Sequence, residues 1–222
     1  MVSDAILKEL FFIKNLQVVS EIKKAGQIRY FAPNEIIYDI GEVQKSVYIL
    51  LKGVLYSYFI DETLTVMTDC FMTERGMPLN TFNLQVPSVF GMQALTDTEV
   101  FAFPVDDLRR MLQEHTEVAE EYMRYMQKDL LFHWYIGNKR LHLSATKKYQ
   151  WFRQKWPEVD EIASNMQIAS FLGIRSESLS RLRNAVKNNA ESSEAITDIM
   201  VTKDLVWNYA KIKQMLDNRR II

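Results

Sequence analysis

NMQIASFLGIRSESLSRLRNAVK, residues 165–187, decides how this chain is read. Ile168 and Ala169 share one helical face, Gly173 interrupts the pattern after Leu172, and Leu179 and Leu182 resume the apolar spacing after Ile174. The pattern predicts two short helices packed at an angle, a helix-turn-helix. Small Ala169 lets the second helix approach, and Gly173 supplies a turn residue free to take positive φ. With Leu179, Leu182 and Val186 facing inward, Glu177, Arg181 and Asn184 form an outward stripe. Such a stripe suits a DNA major groove: Arg bonds two acceptors on a guanine edge, Glu accepts from a cytosine amine, and Ser176 and Ser178 donate to phosphate or base. Any short helical hairpin can show the same spacing, so the stripe alone leaves a plain structural hairpin equally open.

Charge sharpens the reading. The chain has 27 basic and 28 acidic residues, which excludes a surface coated for nucleic acid throughout. Residues 138–190 hold ten basic and four acidic residues, a net +6, leaving 17 basic and 24 acidic residues, a net −7, elsewhere. A basic module on an acidic body directs phosphate contact to one end of the molecule, although a basic face can also simply be solvated.

Upstream, the pattern changes to short runs rich in Val, Ile, Tyr, Phe and Thr. Residues 35–38, 46–50, 54–60 and 64–71 read as strands, punctuated by Pro33-Asn34, Gly41-Glu42, Lys52-Gly53 and Asp61-Glu62. That spacing predicts an all-β roll or sandwich of about one hundred residues, enough for one core.

The runs YFAPNEIIYDIGEVQKSVYILLKGVLYSYF and NTFNLQVPSVFGMQALTDTEVFAFPVDDLRRML resemble the opening and close of a cyclic-nucleotide-binding roll. Together with the helix-turn-helix they resemble the cAMP receptor protein and fumarate-nitrate regulator (CRP/FNR) superfamily from about residue 10 to 187. The resemblance implies an α+β chain. Its parts are a sensor domain at 1–113 built as a double-stranded β-helix or jelly roll, a dimerisation helix at 114–137, and a winged helix-turn-helix domain at 138–222. It implies a cytoplasmic transcription regulator that acts as a homodimer on double-stranded DNA, with RNA polymerase as a further partner. The family's recognition motif falls on residues 176–181, so Glu177 and Arg181 match its base-reading Glu and second Arg, while Ser176 replaces its first Arg and implies a different operator. Arg175, Arg183 and Lys187 are candidate phosphate contacts, and Asn184 completes the reading stripe.

Residues 117–135 lack Pro and Gly, and apolar side chains fall on two faces: Val118, Tyr122, Tyr125, Phe132 and Ile136 on one, Ala119, Met123, Met126 and Leu130 beside them. One stripe suits the roll and the other a twin helix, although Asp129 and His133 interrupt the seam. The alternative is a helix buried within a monomer. A two-fold pair would set two recognition helices about one DNA turn apart.

The family's phosphate cradle runs from Gly-Glu to Arg-Ser. On this chain those positions are Gly76, Met77, Ser88 and Val89. The ribose-binding Glu and the phosphate-neutralising Arg are both missing, and Arg75, just before the turn glycine, is expected to point to solvent. A buried phosphodiester without a cation costs several kcal/mol, so the roll is expected to take an unidentified small-molecule effector other than cAMP. Met72, Met77, Leu79, Phe82, Ser88, Phe90 and Met123 are the candidate pocket residues, and such Met and Phe side chains equally suit plain core.

No cofactor or metal is expected. Cys70 is the sole cysteine, too few for an iron–sulfur cluster or an intrachain disulfide, and His115, His133 and His142 are isolated in sequence. A cupin-type enzyme would need His ligands on strands, and residues 28–103 contain none. A ligand-binding or scaffold protein with a non-functional helix-turn-helix remains the rival reading. Residues 195–201 are expected to form a wing strand, and 202–216 a helix with a Leu205, Tyr209, Ile212 and Leu216 stripe. No apolar run reaches the roughly twenty residues of a membrane span, and the N-terminus lacks a basic signal-peptide start.

Overall fold

A computed structural model of the chain describes residues 13, 15–79 and 84–188. Phe82, the Lys187 side chain and the expected wing and tail helix lie outside the described residues. Helix α1 (Leu16–Ala25) begins where the Asn15 side chain accepts from the Gln17 N–H at 2.9 Å. Strands β1 (Gln27–Phe31), β2 (Ile36–Tyr38), β3 (Ser46–Lys52), β4 (Leu55–Ile60), β5 (Val66–Met72), β6 (Gly91–Ala94) and β7 (Thr98–Pro104) follow. The four strands expected from composition between residues 35 and 71 all form, each shifted by no more than two residues at either end.

All strand pairing is antiparallel, in two sheets ordered β1-β7-β3 and β2-β6-β4-β5. In β3 the alternation is complete. Tyr48 and Leu50 face the core between the sheets, whereas Val47 and Ile49 face a second core under α1 and the helix α2 (Val105–Glu114). Both faces of β3 and β7 are therefore buried, which is why these two strands read as nearly continuous apolar runs, whereas β1 is largely exposed. Register shifts between Ser57 and Tyr58, leaving Asp69 as the extra residue of β5 and within 3.1 Å of the Ser57 hydroxyl.

Helix α3 (Thr116–His142) runs five residues beyond the end expected at 137, because Gly137 sits inside the helix and does not end it. Beyond it come α4 (Ala145–Lys155), α5 (Pro157–Ile162), α6 (Asn165–Leu172) and α7 (Ser176–Asn188). Ser144 caps α4, accepting from the Lys147 N–H, and Pro157 opens α5 at the position where a missing N–H costs nothing.

The core between the sheets continues without a break into these helices. Phe71 of β5 meets Phe171 of α6 at 5.3 Å and Phe152 of α4 at 5.7 Å between ring centroids, both edge-on. Such aromatic pairs contribute about 0.5–1.5 kcal/mol each beyond their area. The Thr68 N–H of β5 donates to the Ser170 hydroxyl at 2.9 Å. The roll and the helical module are thus packed as one unit.

Candidate nucleic-acid interface and sensor interior

The helical hairpin is built by local rules. Ser164 caps α6 with a complete capping box: its hydroxyl accepts from the Gln167 N–H, and the Gln167 side chain accepts from the Ser164 N–H at 2.9 Å. At the other end Gly173 takes φ 62 and ψ 44. The Ile174 N–H then reaches the Ala169 carbonyl at 3.0 Å and the Gly173 N–H reaches Ser170 at 3.1 Å, the closure that a left-handed residue permits. Ile168, Ala169 and Leu179 are buried, as their spacing predicts, with Phe171 and Leu172 beside them, and Leu182 is partly buried against the same core.

The outward stripe lies where it is expected. Glu177, Arg181 and Asn184 are exposed along α7, Arg175 is exposed just before it, and Ser176 and Ser178 are half-buried near its start. Glu177 in the first turn also suits the positive end of the helix dipole. Arg183 departs from the expectation of a phosphate contact. Its guanidinium is half-buried and pairs with Asp160 of α5 at 2.8 Å, because a position two residues from Arg181 lies about 200° round the helix and faces the hairpin.

The basic balance of this module is partly internal. Besides Arg183, Arg153 pairs with Asp160 at 3.2 Å, Lys155 lies 3.9 Å from Glu74, and Arg140 stacks over Phe171 at 5.4 Å. Lys147, Arg175 and Arg181 remain exposed. Sequence counting cannot see which cations are consumed in this way.

In the roll, Met72, Leu79 and Phe90 belong to one buried cluster, and Met77 packs against it. Ser88 is buried, with its hydroxyl donating to the Phe90 carbonyl at 2.5 Å. Met123 does not join them. It is 57% exposed on α3, where with Glu120, Arg124 and Gln127 it lines a surface concavity of about 450 Å³. Both stripes of α3 are apolar, so the sequence could not say which one faced inward. Gly76 takes φ 86, Met77 is half-buried, and Arg75 is exposed.

The Tyr38 hydroxyl is buried without a hydrogen-bond partner, and burial raises its pKa, reinforced by Tyr125, Asp69, Tyr48 and Asp129. Burial also raises the pKa of Asp129; His133, 3.6 Å away, opposes the shift and Asp69 adds to it. Cys70 is a buried thiol whose pKa burial pushes up, an unreactive core residue. Among the described residues, Glu21, Glu114 and His115 bring potential ligand atoms within 4.8 Å of one another. Arg110 already binds both carboxylates, at 3.2 and 2.8 Å. This grouping joins α1 to the α2–α3 junction, and the sequence distance between Glu21 and His115 hides it.

A third surface feature lies on α3. Met123, Leu130, Trp134 and Leu141 are each more than half exposed, with Leu130 at 72% and Leu141 at 78%. Intervals of seven, four and seven residues place them along one side of the helix. A Cβ on Gly137, in the same stretch, would meet nothing within 4 Å.

Residues 28–115 match the family model of the cyclic nucleotide-binding domain. A protein from Eubacterium rectale assigned to the CRP/FNR family of transcriptional regulators superposes with a TM-score of 0.66, at 14% identity, over 81% of this chain and 87% of that one. The chain has the CRP/FNR fold. FixK2 from Bradyrhizobium japonicum shares this CRP/FNR fold with a TM-score of 0.61 and 17% identity, over 74% of this chain and 86% of its own. A protein from Silicibacter pomeroyi described as a cAMP-binding regulator covers 98% of its own length and 94% of this chain, with a TM-score of 0.58 and 19% identity. No curated protein sequence matches the chain. Within the CRP/FNR fold the roll, the long helix and the hairpin stand in the order expected from the sequence. No helix among the described residues is long and apolar enough to cross a membrane.

Proposed function

We propose that this chain is a sequence-specific DNA-binding transcription regulator of the CRP/FNR type, acting as a homodimer on a roughly palindromic operator. The observation that carries the reading is the exposed row of Glu177, Arg181 and Asn184 on a helix whose opposite face is anchored by buried Leu179. An exposed Arg and Glu one helical turn apart offer a groove both a bidentate donor and an acceptor. The sensor domain spans 1–113, the dimerisation helix 114–137 with its continuation to His142, and the DNA-binding domain 138–222. Support for two-fold pairing comes from the exposed apolar row on α3, which a monomer leaves in water.

The effector is a small molecule other than cAMP. Met77 and Ser88 stand where the ribose-binding Glu and phosphate-binding Arg are needed, and the Ser88 hydroxyl is already engaged.

The rival reading is a scaffold whose hairpin does not bind DNA. It draws support from the internal pairing of Arg153, Lys155 and Arg183. Selection from random duplex DNA by the purified chain, with and without a metabolite extract, separates the two. Enrichment of an inverted repeat with half-sites about one turn apart is expected; no enrichment under either condition favours the scaffold. On the enriched duplex, Arg181→Ala is expected to remove sequence preference at one position of each half-site, at a cost of about 1–3 kcal/mol. Lys187→Ala is expected to weaken all duplexes evenly.

A further inference from the structure

We infer that Arg183 and Asp160 set the angle at which α7 presents its reading residues, making Arg183 a positioning residue rather than a phosphate ligand. This rests on the DNA-binding reading above. Arg183 Nε and Nη2 donate to Asp160 Oδ1 at 3.3 and 2.8 Å, and Nη2 also reaches the Asp160 backbone carbonyl at 2.6 Å. The other carboxylate oxygen accepts from the Tyr149 hydroxyl at 3.0 Å and lies 3.2 Å from Arg153 Nε. Asp160 therefore spends both oxygens on holding groups from α4 and α7.

A second tie acts from α6. The Asn165 amide donates to the Ser180 hydroxyl at 3.2 Å, and its oxygen accepts from Arg183 Nη1. Ser180 precedes Arg181, so the polar ties grip α7 on both sides of the reading Arg. Leu179 fixes how closely α7 packs, but an apolar contact is non-directional and leaves rotation about the helix axis soft. The planar guanidinium fork against a carboxylate and a carbonyl is directional, and it is a geometry that Lys cannot reproduce. Turning α7 by one residue's worth would carry Arg181 out of reach of a base edge.

The test uses the full chain, the duplex enriched by selection and a shuffled duplex, with Asp160→Asn and Arg183→Lys. Both variants are expected to lower the enriched-to-shuffled affinity ratio at least tenfold, with the salt dependence of shuffled-duplex binding unchanged. Asn165→Ala, which removes the second tie without touching Asp160, is included because a single variant can lose the fold; it is expected to lower the ratio as well, and circular dichroism reports folding for each protein. If Arg183 were a phosphate ligand, Lys would keep the ratio and Arg183→Leu would reduce the salt slope by about one. Asp160→Asn would then bind like the wild type, and that pattern overturns the inference. Failure of the wild-type chain to prefer any duplex overturns the DNA-binding reading and the clamp's role with it, and is distinguished by the wild-type control.

Discussion

At Ser88 and Met77 the chain lacks the phosphate and ribose partners that the resemblance to a cyclic-nucleotide-binding roll implies. A hydroxyl already bonded to a carbonyl and a thioether cannot replace a guanidinium and a carboxylate. Isothermal titration with cAMP and cGMP is expected to show no stoichiometric binding; tight one-to-one heat from either nucleotide would refute this account of the roll. Asp129 gives a second residue-scale prediction. Its folded pKa is raised, chiefly by burial, so the native state holds its proton more tightly than the unfolded chain does. Stability is then lost as pH rises from the ordinary carboxylate range through the raised value, and the penalty is complete above it. Asp129→Asn is expected to melt higher than the wild type at pH 7, with the gap closing as pH falls towards 4. A lower melting temperature at pH 7 would show that the His133 contact outweighs the burial cost.

Among the elements, α6 and the strands of the roll were legible because their signals are local. A cap at Ser164, a left-handed turn at Gly173 and β-rich runs between turn residues each act within a few positions. Helix α3 was legible as a helix but not in its facing, since apolar residues ring it, and Met123 accordingly falls outside the interior to which it was assigned. The Asp160–Arg183 pair was not legible at all. The two residues are far apart in sequence, and composition counts both cations and acids as surface charge whether or not they are paired. The exposed row on α3 leads to a direct expectation: Leu130→Glu places a charge in the middle of the proposed dimer seam and should yield monomer in sedimentation equilibrium. The same variant should retain the secondary structure of the wild type, because Leu130 is 72% exposed within one chain. An unchanged dimer mass would remove α3 from the interface.

For the molecule as a whole, the aromatic contacts between Phe71, Phe152, Trp156 and Phe171 join the roll and the helical module in a single core. The same contacts set β5 directly against α6, and α6 against α7. Thermal unfolding of the roll and the helical module is expected to be one cooperative transition. Phe71→Ala is expected to cost about 3–5 kcal/mol, the usual cost of emptying a buried aromatic site. Two well-separated transitions in the wild type would mean that the shared core does not couple them. The central claim, that the exposed row on α7 reads DNA sequence, is tested most directly by a fluorescence anisotropy titration of the wild-type chain against its selected duplex and a shuffled one at fixed salt. A preference of about 10³ or more is predicted; equal affinity for the two duplexes would contradict it.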